Sequence, residues 1–305
     1  TMDSNTLQRP WHYALFQIPA LLTAIFFVLA VLTSNLGWFP PNVSVQMMLD
    51  LSGSTYQNGN FKGAGTIMAA EIEAVKDYAR QNANSGKANL LSLSGFADQV
   101  IPITKKFSSN PTEIEQAIDQ VVQPSIEQQI GGGTNLDLAV ENGLKSLNTQ
   151  KQQFKEMLVF TDGVIDLKPW LAARVKLSGV RLNFLVVDKP VSNSLAQVAG
   201  LTGGVALPAD VNNIKELVSG QLRERFNSNS RLVNLFFGLA FISLMWMLIL
   251  PIDRLLQRLI HIRFDYSGII ALFNAWFWTI VTVFWVGLPF YQGYLNPWIG
   301  EMLFN

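Results

Sequence analysis

Hydrophobic positions along the chain follow two regimes. Near both ends they form unbroken runs, Tyr13 to Thr33, Leu232 to Ile252 and about Ile269 to Phe290, each free of Asp, Glu, Lys and Arg. A bilayer core of about 30 Å takes about 20 helical residues, so each run is long enough to span. Trp11 and Trp38 bracket the first run, and Tyr294 and Trp298 follow the third, as side chains that favour the headgroup layer do. Buried core helices usually keep a polar face, which these runs lack.

Between the ends the apolar runs are short and alternate with helical spacing. VSVQMMLD ends in Asp50, and a Gly-rich connection leads to a helix over about 63–81, with Ile67, Met68, Ile72 and Val75 on one face. Segments 88–97 and 99–107 read as strands of a hairpin, and Asn110-Pro111 opens a helix with Glu113 and Glu115 in its first turn. Another helix follows Thr134; then come a strand over 155–162, the helix PWLAARVKL, a strand over 180–188, the helix SLAQVAGL, the short strand VALPA and a last helix near 213–225. Strands with no alternating polar face, separated by helices, predict a doubly wound α/β domain: a mostly parallel, Rossmann-like sheet covered on both sides. The expected organisation is an amino-terminal membrane anchor (1–36), this α/β domain (37–228) and two carboxyl-terminal transmembrane helices (229–305).

Charge placement agrees with that division. From Ser34 to Arg231 there are 18 basic and 18 acidic residues, while the other 107 positions of the 305-residue chain hold four of each. Zero net charge without a basic block argues against nucleic acid as a partner, because phosphate binding depends on clustered Lys and Arg. The absence of Cys removes disulfides, thiol nucleophiles and Cys-based zinc sites.

Orientation follows from the positive-inside bias. The loop from Asp253 to Asp265 carries Arg254, Arg258 and Arg263, the amino-terminal flank carries Arg9, and the tail after Phe290 has neither Lys nor Arg. Three crossings with that loop inside place the amino terminus inside and the central domain outside, in the periplasm. Arg223, Arg225 and Arg231 oppose this arrangement. The head carries Asp3 against a single Arg9, and no small-x-small site follows the first run cleanly, so an uncleaved signal anchor is expected rather than a signal peptide. Leu255, Leu256, Leu259 and Ile260 share one face opposite Arg254 and Arg258, which suits a short helix lying on the inner surface.

Candidate chemistry gathers in three loops. D-L-S-G-S supplies Asp50, Ser52 and Ser54; G-G-G-T-N supplies Thr134; F-T-D-G supplies Asp162. Such α/β sheets bind ligands beyond the carboxyl ends of their strands, where these loops fall. Two carboxylates and three hydroxyls are hard oxygen donors that suit Mg²⁺ or Mn²⁺ and neither zinc nor copper. Singly, each motif reads equally as a polar turn or a helix cap, and Thr134 as the cap of the helix after it. The stretch 43–226 contains no His, which removes the commonest general base.

Other features carry less. The Gly131–Gly133 run lacks the Gly-Lys-Ser/Thr of a phosphate loop. His12 and His261 sit beside membrane segments and read as interfacial packing. Asn42-Val43-Ser44 matches a glycosylation sequon but lies at the membrane exit. Asp137 and Asp166 read as solvated helix or turn residues, with a supporting role at the site as the minority alternative.

The three motifs together resemble the metal-ion-dependent adhesion site of von Willebrand factor A domains, over about 43–226. F-A-D-Q-V-I-P-I-T (96–104) and V-A-G-L-T-G-G-V-A-L-P-A-D (198–210) are similar to bacterial members. The resemblance implies that Ser52, Ser54 and one of Thr134 or Asp50 touch the metal, that the remaining carboxylates act through water, and that an Asp or Glu from a protein partner completes the octahedron. Flanking membrane segments resemble the aerotolerance (Bat) type, which is associated with MoxR-type AAA+ ATPases and with maturation of protein complexes; two segments after the domain, instead of one, depart from that pattern. A cytoplasmic ATPase reaches the domain only if the domain faces the cytoplasm. The expected function is a membrane-anchored, metal-dependent protein-binding module, a scaffold or assembly factor and not an enzyme. The alternatives are an auxiliary subunit of a transporter or channel, or a metal-dependent hydrolase using Asp50 or Asp162 as base. The first finds no intramembrane charge to form an ion path; the second finds no His, Cys or second metal cluster for proton transfer.

Overall fold

A computed structural model describes residues 13–36, 41, 43–55, 61–152, 154–163, 167–259 and 264–287. His12, His261, Asn42 and Asp166 lie outside the described residues. The chain divides into two units, one spanning Pro41–Asn227 and one formed by the segments on either side of it. In chain order, helix α1 (Ala14–Leu36) precedes β1 (Val43–Asp50), α2 (Ile67–Ala83), β2 (Leu90–Phe96), β3 (Val100–Pro102), α3 (Pro111–Val121), the single turn α4 (Glu127–Ile130) and α5 (Leu136–Asn148). Then follow β4 (Phe154–Thr161), α6 (Pro169–Leu177), β5 (Val180–Val187), α7 (Asn193–Thr202), β6 (Ala206–Ala209), α8 (Ile214–Glu216) and α9 (Arg223–Phe226). Last come α10 (Ser230–Met247), α11 (Ile249–Leu259) and α12 (Phe264–Thr282).

The sheet of the central unit has the order β3-β2-β1-β4-β5-β6, with every pair parallel except β2 and β3. Because β1 feeds β2 on one side and β4 lies on the other, the order reverses between β1 and β4, the position at which such sheets bind ligands. β1 and β5 are buried at every residue, the polar Ser44, Gln46, Arg181 and Asn183 included. Met48, Met157, Val159, Leu182 and Phe184 pack against Val140 and Leu144 of α5, Leu171 and Val175 of α6, and Leu195 and Val198 of α7. The opposite side is covered by α2, α3 and the segment from α8 to α9, with the Tyr78 and Phe226 rings 6.4 Å apart.

Two expectations for this unit are corrected. The strand expected over 99–107 shortens to three residues, since Pro102 has no N–H to extend the ladder. Beyond it Ile103 and Thr104 both donate to the Leu93 carbonyl, and the Thr104 hydroxyl accepts from the Leu93 N–H at 2.9 Å. The helix expected near 213–225 is interrupted by a π-helical stretch, Leu217–Leu222. There the Ser219 hydroxyl takes the Lys215 carbonyl and Arg223 Nε takes the Ser219 carbonyl, each at 2.7 Å, so side chains occupy acceptors of the helical ladder.

In the outer unit, α1 and α10 pack along each other, with Phe27 and Phe237 edge to face at 5.9 Å. Residues Ala14–Leu36 and Tyr266–Val286 are helices long and apolar enough to cross a bilayer. The second apolar run does not continue straight to Ile252: the helix bends by 41° between Met247 and Ile249, because Pro251 has no N–H for the Met247 carbonyl and its ring crowds that carbonyl, and the ladder resumes with the Ile252 N–H donating to the Leu248 carbonyl at 2.8 Å. This bent pair makes a third candidate span when taken as one. Trp246 donates to the Thr279 hydroxyl at 3.0 Å, and Gln257 and Ser267 both donate to Asp253 Oδ1, so the polar groups here are satisfied within the helix pairs.

Candidate metal centre

Asp50 is the last residue of β1 and is fully buried. The chain turns at once: the Ser52 N–H donates to Asp50 Oδ1 at 3.0 Å, and the Thr55 N–H and hydroxyl both donate to the Ser52 carbonyl, at 3.1 and 2.8 Å. This Asx turn runs into a 3₁₀ turn, Gly53–Thr55, that places the Ser52 and Ser54 hydroxyls 3.0 Å apart, Ser52 buried and Ser54 exposed. The alternation of small and polar residues in D-L-S-G-S thus puts a carboxylate and two hydroxyls along one short loop.

The second loop is stitched to the first by backbone, through Gly53 N–H to the Gly132 carbonyl at 3.1 Å. Asn135 N–H to the Ala97 carbonyl, at 2.8 Å, and Gln99 N–H to the Ile130 carbonyl, at 3.0 Å, tie it to the end of β2. Gly131 is required by its φ of +81°, with a Cβ there only 2.2 Å from Asp98 Oδ2, and a Cβ on Gly133 would stand 2.2 Å from Oδ1 of the same exposed side chain, which would have to move. Thr134 does not cap the helix after it. Asn135 does so, accepting the Leu138 N–H at 3.1 Å, which leaves the Thr134 hydroxyl free of that role.

Asp162 follows β4, the neighbour of β1, and is 5% exposed. Thr161 sits beneath it, fully buried beside Asp50, its oxygen accepting the Gly163 N–H at 3.1 Å. All three loops therefore meet at the carboxyl edge of β1 and β4. Asp137 ties the far end of the loop after Asp162 to α5, since its carboxylate accepts the Lys168 N–H at 3.1 Å and pairs with Lys168 Nζ at 3.2 Å.

A third carboxylate lies outside the sequence motifs. Glu71 belongs to the buried stripe of α2, between Met68 and Ile72, Val75 and Tyr78, and is 0% exposed. Its signal in the sequence is an acid at a core position of an amphipathic helix. Neither of its oxygens, nor Asp50 Oδ2, makes a hydrogen bond of good distance and angle, although the Asp50 N–H faces the Glu71 carboxylate and the Thr161 hydroxyl that of Asp50. Burial pushes Glu71 well above the ordinary carboxylate range, and the charges of Asp50 and Asp162 push it further. Burial likewise raises Asp50 to about 6, against hydrogen bonds from Ser52 and with added repulsion from Asp162. Among the described residues no Lys or Arg pairs with any of the three. Buried acids without a cation are unfavourable, and a divalent ion bound here would supply the missing charge. The donors fit such an ion: carboxylate oxygen short of well-formed hydrogen bonds, adjacent hydroxyls and no nitrogen or sulfur. Among the described residues no three His, Asp or Glu side chains form a metal-holding group by themselves, so hydroxyl oxygens have to complete any shell.

Residues 45–164 match the von Willebrand factor type A domain family. Together with the mostly parallel six-stranded sheet, this makes the central unit a von Willebrand factor A domain. Solved structures with this fold include an aerotolerance-related membrane protein from Bacteroides fragilis, 17% identical, covering 60% of this chain and 100% of that one at a TM-score of 0.45. BatB from Bacteroides thetaiotaomicron is 15% identical, covering 61% and 100% at a TM-score of 0.48. The vWF domain of the type V pili tip protein Mfa5 from Porphyromonas gingivalis is 10% identical, covering 62% and 96% at 0.49. No curated protein matches the chain.

Proposed function

We propose that the domain holds Mg²⁺ or Mn²⁺ through Ser52, Ser54, Thr134, Asp50 and Asp162 and uses it to grip an Asp or Glu of a protein partner. The observation that carries this reading is Asp50 Oδ2, buried without a well-formed hydrogen bond at the strand-order reversal and flanked by two hydroxyls 3.0 Å apart. When bound, the cation supplies an electrophilic centre for an external carboxylate. The chain itself fixes the donor loops, through Gly53 to Gly132 and through the Asx turn at Asp50. Ser54 is exposed, so a ligand from outside reaches the edge of the site.

Membrane helices on both sides of the domain make it a tethered binding module, acting as scaffold or assembly factor of a membrane complex rather than as an enzyme. The Arg residues of the 253–265 loop favour a periplasmic domain; a domain facing the cytoplasm instead would meet a MoxR-type AAA+ ATPase. Affinity capture from membranes with wild type and Asp50→Ala, each in Mg²⁺ and in EDTA, tests the reading. Partners retained only by wild type in Mg²⁺ support it, and the same partner set under all four conditions overturns it. A reporter inserted in the 253–265 loop decides the side.

A further inference from the structure

A cavity of about 280 Å³ adjoins the proposed site, with Ser54 on its wall. Clefts that hold small-molecule ligands start at about 300 Å³, so this one suits a single side chain rather than a cofactor. Its lining is of two kinds: the apolar Ala64, Ile67 and Val211, and the acidic Asp188. Asp188 is exposed, and among the described residues its carboxylate has neither a hydrogen bond nor an ion pair. Two structural uses of an acid there are already met by other groups. The start of α2 is capped by Thr66, whose hydroxyl accepts the Ala69 N–H at 3.2 Å. The turn after β5 is left-handed, with a φ of 55° at Asp188, and is held by the backbone N–H of that residue donating to the Ala209 carbonyl at 2.8 Å. Gly or Asn serves such a turn without a charge.

In the strand order β1-β4-β5, Asp188 follows β5 at the same carboxyl edge as Asp50 and Asp162. With strands about 4.8 Å apart, it stands roughly 10 Å along that edge from Asp50. An extended peptide advances about 3.3 Å per residue, so two of its side chains a few positions apart span this distance. We propose that the cavity takes a Lys or Arg side chain of the same partner whose acid meets the cation, so that the partner is recognised by an acidic and a basic residue close together in its chain. This rests on the metal reading above and adds the second half of the recognition element. A long basic side chain lays its methylenes on Ala64, Ile67 and Val211 and carries its charge to Asp188. A neutral side chain of the same length covers Asp188 without pairing it, and an acidic one is repelled, so the cavity discriminates among partners that offer the same carboxylate.

The test uses the full chain in detergent micelles and two sets of short Gly-Ser peptides at millimolar concentration, with binding read by saturation-transfer nuclear magnetic resonance. Each peptide of the first set carries one Asp and, a few positions away on either side, one Arg. In the second set citrulline, which keeps the shape of Arg without its charge, takes the place of Arg. The expected result in Mg²⁺ is about fivefold tighter binding of the Arg set, the upper end for an ion pair open to water. Asp188→Asn keeps the side-chain shape and the left-handed turn, and should bring that ratio to about one. Equal binding of the two sets by wild type overturns the proposal, and so does a preference that survives in Asp188→Asn. Equal binding that still depends on Mg²⁺ sinks only the role of the cavity, whereas binding unchanged by EDTA sinks the metal reading and this inference with it. Binding of neither set overturns the inference, and Mn²⁺ uptake by wild type, followed by electron paramagnetic resonance, then decides whether the metal reading stands.

Discussion

Asp98 Oδ2 accepts the backbone N–H of Gly133 at 3.1 Å, one residue before Thr134, and the same carboxylate leaves no room for a side chain at Gly133. The hydrogen bond and the close approach are one device: an acid anchored at the end of β2 fixes the loop that presents Thr134. Gly133→Ala forces the exposed Asp98 side chain into another rotamer and is expected to cost about 0.5–1.5 kcal/mol. Asp98→Ala alone costs about 0.5–1 kcal/mol, because the lost bond is made by an exposed carboxylate that water screens. Removing the carboxylate also removes every atom that the new methyl meets, so the double variant costs less than the sum. Denaturant melts of the four proteins check this, and strict additivity would contradict it.

Protonation gives a second handle. Asp50 is raised from 3.8 to about 6, so between those values the folded domain binds more protons than the unfolded chain. Stability of the metal-free domain therefore falls as pH rises through that window and stays lower above it. Two pH units correspond to about 3 kcal/mol. Melting of wild type minus that of Asp50→Asn, in EDTA, should fall from pH 4 to pH 7 by an amount of this order. A constant difference across the range would refute the assignment.

How much of this is legible in the chain differs by element. β1, β4 and β5 announce themselves because burial on both faces favours mostly apolar runs, each here with two polar residues near its start, and Asp50 and Asp162 stand out as acids terminating such runs. Thr134 is ambiguous between ligand and cap in the sequence, and only the structure gives the cap to Asn135. Glu71 is hidden because helical periodicity averages over one acid in a stripe of eight buried positions, and only its place beside Asp50 sets it apart. The π-helical stretch at Leu217–Leu222 is invisible for another reason, since apolar length says nothing of where a ladder breaks, whereas the bend after Met247 has a signal in Pro251 four residues on.

Away from the site, Arg181 pairs with Glu156, which is 1% exposed, and Asn183 donates to the second oxygen of Glu156 at 3.0 Å. The three side chains join β4 to β5 at the end of the sheet opposite Asp50 and Asp162. Arg181→Met leaves Glu156 charged and without its cation, and such a loss is expected to cost about 3–5 kcal/mol. The domain should lose this stability with its Mn²⁺ affinity unchanged while folded. Adding Glu156→Met should recover much of it, since neither charge then remains. A double variant no more stable than Arg181→Met would show that the pair is not the source of the loss.

Thr134 and Asn135 are adjacent and, in the structure, have separate roles, which makes them the sharpest pair for separating stability from binding. Asn135 caps α5 through the Leu138 N–H at 3.1 Å, whereas Thr134 is half-buried at the loop rim and takes no part in the cap. Asn135→Ala should cost about 1 kcal/mol of stability and lower Mn²⁺ affinity little. Thr134→Val keeps volume and branching but removes the hydroxyl; it should leave melting in EDTA within about 0.5 kcal/mol of wild type, as a change away from the core does. Its Mn²⁺ affinity should nonetheless drop at least tenfold, because a hard cation gains nothing from a methyl in place of an oxygen ligand. Measuring melting and Mn²⁺ binding on both variants gives a crossed pattern if the roles are divided in this way. Both variants losing stability, with binding untouched, would return Thr134 to the role of an ordinary turn residue.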